Sequence, residues 1–250
     1  MKIVFWGNEG NCCLTTNMLS LANYLVWHKG YRITIFELVR EDNGVKKYMS
    51  GSYARYHKGY IETLIEKHLY YVSGEKWKKE QKKRQRRRGK QAVQSVWDGI
   101  CYTEKNMDAV FVNLADREDE EARKMMWEAD VLIVNMKQEK AAFDTFFANY
   151  ANISEHIFFL IGSYFFVGSY FSNGSCDREY LCSGYRIAEA DFGIIPFHPK
   201  LPDICEKGKL DTYIRCGRKS KMNGIQTIFM HELEQTVEKL IQKVNLTVKK

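Results

Sequence analysis

The sequence predicts an α/β protein in three layers, with a mostly parallel central sheet flanked by helices. Three observations point there. Residues 1–38 read strand, loop, helix, strand, the unit from which parallel sheets are built. Later strands are near-continuous apolar runs such as "VFVNL" and "VLIV", the pattern of strands covered on both faces. Helical and extended segments then alternate to the end of the chain.

Taken in order, "KIVFWG" (2–7) is a short apolar run ending in glycine, a buried strand. In the helix that follows (15–30), Met18, Leu21, Ala22, Leu25 and Val26 recur at helical spacing, and Gly30 falls where a C-terminal cap belongs. "YRITIFEL" (31–38) is the second strand. Residues 40–75 are polar and tyrosine-rich, with a helical stretch expected near "YIETLIEKHLYYV" (60–72). Further strands are expected at 108–116, 131–137, 156–165 and 192–198, with helices at 118–130 and 140–150. The last helix (225–244) carries an apolar stripe of Ile225, Ile228, Phe229, Leu233, Val237, Leu240, Ile241 and Val244, read as core-facing.

The 250 residues include 45% hydrophobic and 14% aromatic side chains, enough for a sizeable core. The three prolines all lie between Pro196 and Pro202, and no Pro- or Gly-rich linker divides the chain, so one domain spanning 1–250 is expected. The seven cysteines are odd in number and form no CxxC pair, and Met1 leads straight into a strand. The expectation is reduced thiols in a cytoplasmic protein without a zinc site or a membrane span. Net charge is +7, but "KWKKEQKKRQRRRGK" (76–90) alone holds ten Lys/Arg against one Glu, leaving the rest of the chain slightly acidic. That run reads either as a solvated, partly helical or disordered insertion, or as an arm for nucleic-acid phosphates, an acidic protein or anionic lipid through Lys82, Lys83, Arg84, Arg86, Arg87 and Arg88. In the binding readings Trp77 adds stacking or interfacial anchoring.

The loop "GNEGNCCLTTN" (7–17) joins the first strand to the first helix, where backbone N–H groups and a helix N-terminus can hold a phosphate. A working phosphate loop, G-x-x-x-x-G-K-[ST], adds a lysine for the β/γ-phosphates and a hydroxyl for Mg²⁺. Here the hydroxyls are present and the lysine is missing. The loop is therefore either a phosphate site of weakened chemistry or a plain strand–helix turn. Cys12 and Cys13 sit in it either as small residues filling a tight loop or as thiols activated by the helix N-terminus.

Element order and four separated segments resemble the ParA/MinD family of P-loop ATPases. Besides the loop these are "RITIFELVRED", "VFVNLAD" with "EADVLIVNMKQEKAAFDTF", and "GIIPFHPKLPDICEKGK". The resemblance implies a P-loop NTPase-like domain that binds ATP or ADP with Mg²⁺ and dimerises. Aligned on Thr15 and Thr16, Glu9 falls at the family's signature lysine, Cys13 at its last loop glycine and Leu14 at its phosphate-binding lysine. The resemblance then implies phosphate contacts from Gly10, Asn11, Cys12, Cys13, Leu14, Thr15 and Thr16, with Thr15 as metal ligand. It implies catalytic places for Glu37, Asn113 and Asp116, and a place beside the adenine for Pro196 and His198. Asn113 stands where the family has the aspartate that orders Mg²⁺-bound water. The implied protein is a degenerate, weak or pseudo-ATPase serving as a localisation, partition or pilus-assembly factor, similar to the CpaE/TadZ group with its altered loops. Two alternatives stay open: an active partition-type ATPase with charges supplied in trans, and a nucleotide-independent module for DNA or an acidic partner.

Overall fold

The computed structural model describes residues 1–7, 13–38, 44–49, 57–58, 61–65, 67–88, 95–166, 176–217 and 224–248. In chain order the elements are β1 (Lys2–Gly7), α1 (Leu14–Lys29), β2 (Ile33–Glu37), α2 (Gly44–Tyr48), β3 (His57–Lys58), β4 (Ile61–Ile65), β5 (Leu69–Ser73) and α3 (Gly74–Arg88). They continue with α4 (Val96–Glu104), β6 (Ala109–Ala115), α5 (Glu120–Trp127), β7 (Val131–Met136), α6 (Lys140–Asn149) and β8 (Ile157–Tyr164). The chain closes with α7 (Arg178–Gly184), β9 (Phe192–Pro196), α8 (Leu201–Glu206), α9 (Leu210–Cys216) and α10 (Gly224–Val248).

Among the described residues the strands form one nine-stranded sheet in the order β3-β4-β5-β2-β6-β1-β7-β8-β9. From β5 to β9 every pairing is parallel, and β3-β4-β5 run antiparallel at one edge. Alternating residues of each strand face opposite layers. Ile3 and Phe5 join a core with α1, α9 and α10, whereas Val4 and Trp6 join one with α4, α5 and α6. Gly30 takes the left-handed conformation expected of a cap, φ 72°, and its N–H reaches the carbonyls of Leu25 and Val26.

Two expectations need correcting. Residues 61–65 and 69–73 are the antiparallel strands β4 and β5, not a helix. Ile61, Leu64, Ile65, Leu69 and Val72 also fit helical spacing, but the β-branched and aromatic content suits strands, and Lys67 turns the chain in the left-handed region at φ 65°. The stripe of α10 faces the core only from Phe229 onward; Ile225 and Ile228 are about half exposed. Ile228 lies one position, roughly 100°, off the Phe229–Val244 line, and Ile225 belongs to the helix's first turn.

Strand β4 buries a charge. Glu62, 2% exposed, accepts from both Lys46 and Lys76 at 2.6 Å. Burial by itself would raise its carboxyl, but the two ammonium groups outweigh that and hold it below 4.5. A carboxyl lowered on folding adds stability above its unfolded pKa and loses it as pH falls through the folded one. Denaturant midpoints are therefore expected to fall as pH drops below 4.5, and Glu62→Gln is expected to lower the neutral-pH midpoint and flatten that dependence.

Candidate functional site

The strand order reverses direction around β1. The chain leaves β1 toward β2 and β6 on one side, then crosses to β7, β8 and β9 on the other. In such sheets ligands bind beyond the carboxyl ends of the strands at the reversal. Here those ends belong to β6, β1 and β7, and the N-terminus of α1 sits over them.

Residues 8–12, with Gly10, Asn11 and Cys12, lie outside the described residues. Cys13 is the N-cap of α1 and is left-handed, at φ 56° and ψ 26°. Only glycine adopts that conformation freely, and this is the position where the sequence resemblance leads one to expect a loop glycine. The Cys13 side chain does not cap the helix N–H groups, and the first turn carries no acidic residue. Asn17 makes the first intrahelical bond, to the Cys13 carbonyl at 2.9 Å. The N–H groups of Leu14, Thr15 and Thr16 thus have no intrahelical acceptor and carry the positive end of the helix dipole.

Two further non-glycine residues are left-handed near strand ends, Ala115 as the last residue of β6 (φ 51°) and Ser163 in β8 (φ 54°). The Cys13 Sγ and Ser163 Oγ lie 3.7 Å apart. Such conformations persist only where the surroundings enforce them, and they cluster at functional sites.

Asn113, buried at the end of β6, turns its amide Nδ2 toward the Thr15 hydroxyl at 3.5 Å and accepts from the Ala115 N–H at 3.0 Å. Two residues along α1, the Asn17 amide donates to Asn135 Oδ1 of β7 at 2.7 Å. Gly162 of β8 backs this pair so tightly that a Cβ there would overlap the Asn17 amide. The floor of the site is thus polar and neutral. Leu14 is only 8% exposed and joins the core on the α1 side.

This donor set fits a phosphate on backbone N–H groups. It fits a bare cation poorly: Thr15 and Asn113 bring no carboxylate, and among the described residues no group of three His, Cys, Asp or Glu could hold a metal. Thr15 remains the residue that would touch a Mg²⁺ carried in by nucleotide phosphates, where the ion would offset phosphate charge.

No family model and no curated protein matches this sequence. Solved structures do. MinD from Pyrococcus horikoshii, complexed with Mg-ADP, superposes with a TM-score of 0.62 at 11% identity, covering 99% of each chain. A ParA-family ATPase from Chlorobium tepidum gives 0.63 at 10% identity, over 95% of this chain and 97% of that one. A putative plasmid partition protein from Borrelia burgdorferi, bound to AMPPNP, gives 0.60 at 14% identity over 97% and 98%. The chain has the MinD/ParA fold.

Within that fold the remaining expected residues are spread unevenly. Glu37 ends β2 beside Asn113 in register, but its carboxylate is buried and accepts the Tyr71 hydroxyl. Burial and the Glu37 charge push that phenol well above its usual range. Asp116 is exposed in the turn after β6. Pro196 is buried at the end of β9, and His198 just beyond it is 6% exposed. The His198 Nδ1 accepts the Lys200 N–H at 3.3 Å, which leaves Nε2 to donate to the Tyr213 hydroxyl at 3.0 Å. Its ring packs against Tyr213 and Phe229, and burial lowers its pKa. Both ring nitrogens are therefore occupied in shaping the turn.

The basic run forms α3. Lys76 and Lys78 pair with Glu62 and Glu121, Lys82 and Lys83 are exposed, and Arg84, Arg86, Arg87 and Arg88 occupy the last turns. The Trp77 ring corrects the sequence reading. It is 4% exposed and packs edge-on to Phe36 at 6.2 Å between ring centres, so it is core and not an interfacial anchor. No helix among the described residues is long and apolar enough to cross a membrane. The Asn17–Asn135 pair and the left-handed Ala115 and Ser163 were missed from sequence. Only Asn135, an amide inside the apolar run of β7, gave a signal.

Proposed function

We propose that this chain is a single-domain nucleotide-binding protein of the ParA/MinD type with a weakened phosphate loop, acting as a localisation or partition factor by binding more than by turnover. The observation that carries the reading is the exchange at the first turn of α1. The helix N-terminus and Thr15 remain placed for phosphates, while Leu14 is packed into the core where a phosphate lysine would reach the ligand. The role is supported by the shared fold, since proteins so built include cell-division MinD and a plasmid partition protein. A pilus-assembly role and a homodimer joined across the loops belong to the same proposal. With a neutral Asn113 and a committed Glu37, hydrolysis is slow or absent.

ATP with Mg²⁺ is expected to bind in the micromolar range by calorimetry. Thr15→Ala removes a single hydroxyl and is expected to weaken binding about two- to tenfold. No heat from the folded protein at saturating ATP would reduce the loop to a strand–helix turn. Turnover stimulated by DNA would point instead to an ATPase completed in trans.

A second reading rests on α3, whose distal half "KKRQRRR" (82–88) continues past the anchored turns. In it the protein holds nucleic acid or an acidic protein independently of nucleotide. Salt-sensitive DNA binding that ignores ATP and vanishes when Lys82 and Lys83 become Glu would favour that reading.

A further inference from the structure

We propose that the solvent-facing side of α3 is a docking surface for double-stranded DNA, held by its phosphates without reading of the base sequence. This rests on the second reading above and names its partner. Trp77 is the one apolar side chain in α3. Trp77 and Gln81, one turn apart, are 4% and 7% exposed and hold the helix to the body. At roughly 100° per residue, Lys79, Lys82 and Lys83 stand about 140–240° round the helix from Trp77. All three are exposed. The sequence continues that spacing with Arg86 and Arg87, so cations recur at i, i+3, i+4, i+7 and i+8 along one face.

The charges on this face are not neutralised within the chain. In the first turns Lys76 and Lys78 pair with Glu62 and Glu121, at 2.6 and 3.5 Å. Lys79 meets Glu75 at 3.9 Å with 73% of its side chain exposed, a pair of little worth. Among the described residues no carboxylate lies within ion-pair distance of Lys82 or Lys83. Like charges one turn apart on a helix repel each other, and a polyanion laid along the face relieves that repulsion.

The chemistry of the face selects the polyanion. Protein partners are held mainly by buried aromatic or apolar anchors, and a helix lying on a bilayer sinks an apolar face into the lipid. α3 offers neither, because its one ring is packed against Phe36. Single-stranded nucleic acid is held largely by stacking on exposed aromatic rings, which the same burial removes. Double-stranded RNA is recognised across two successive minor grooves, farther than the roughly 12 Å of helix from residue 79 to residue 87 can reach. A DNA duplex needs only cations in a row. It carries one phosphate charge per about 1.7 Å of its axis, and each neutralised phosphate releases condensed counterions. Phosphate contacts position a protein but carry no sequence information.

The test uses the full-length chain and a salt series. Fluorescence anisotropy follows two short labelled DNA duplexes of unrelated sequence, a single strand of the same length, and labelled polyglutamate; co-sedimentation follows phosphatidylserine vesicles. The two duplexes are expected to bind within about twofold of each other, and roughly tenfold more tightly than the single strand. Lys79→Gln, Lys82→Gln and Lys83→Gln together keep good helix formers at exposed positions, so folding stays intact. This variant is expected to flatten the slope of log K against log salt by about 2.7, at about 0.9 per lost phosphate contact. Lys124→Gln, Lys207→Gln and Lys209→Gln together, at lysines as exposed but outside α3, are expected to leave the slope unchanged. A single strand bound as tightly as the duplexes, or a slope that the α3 variant does not alter, overturns the proposal. Binding to polyglutamate or vesicles but not to duplex overturns it as well, and polyglutamate binding would leave the second reading standing with an acidic protein as partner. Binding to none of the probes removes that reading too.

Discussion

Leu14→Lys is expected to tighten ATP binding by roughly 10- to 100-fold, the worth of a charge-assisted contact in a partly desolvated site. The position begins α1, directly after the left-handed Cys13, so a side chain there starts from the helix N-terminus that would hold the phosphates. The same change has a cost without ligand. Leu14 is 8% exposed, and removing its apolar burial is expected to lower stability by about 1–2 kcal/mol, with the lysine stem recovering part. Saturating ATP should restore that loss, because a ligand that binds only the folded state stabilises it by mass action. Calorimetry and urea unfolding with and without ATP separate the two effects. Destabilisation without any gain in affinity would mean that no phosphate comes near α1, and the proposed nucleotide site would fall with it.

The elements read correctly from sequence are those whose signal is local. β6 and β7 are apolar runs that any buried parallel strand requires, and Gly30 marks the end of α1 because the left-handed cap disfavours other residues. Strands β4 and β5 show where local reading stops. Ile61, Leu64, Ile65, His68, Leu69 and Val72 fit helical spacing as well as they fit strands. What decides is the pairing of β5 with β2, more than thirty residues away, which no window over 60–72 contains.

The candidate site divides in the same way. Thr15 and Asn113 were both singled out by the sequence resemblance, and they meet at 3.5 Å although 98 residues separate them. Glu37 was legible as an acidic residue at a strand end. Its commitment to Tyr71 was not, because that bond exists only once the misread segment places Tyr71 in the neighbouring strand. Asn17 and Asn135 become a buried pair only when β7 is laid beside β1, so neither stands out as half of one.

Trp77→Ala is expected to lower stability by about 3–5 kcal/mol, the range for deleting a large aromatic from a core. Within the most basic stretch of the chain a tryptophan invites a reading as a surface anchor, yet this ring is buried against Phe36 of β2 and Gly99 of α4. The contact with Gly99 is so close that a Cβ there would overlap the indole, so Gly99→Ala is expected to destabilise as well, through overpacking and not through a void. Together with the ion pairs of Lys76 and Lys78, the ring fixes the first turns of α3 and leaves the later, arginine-rich turns to be carried as an extension. Urea midpoints at constant m report the stability change. Amide exchange over α3 is expected to accelerate more than that over α10, because the helix loses its anchor along with the core contact. Unchanged stability with reduced binding to anionic vesicles would reverse the assignment and return Trp77 to the surface. The same experiment therefore tests whether the basic helix is held by the fold or merely attached to it.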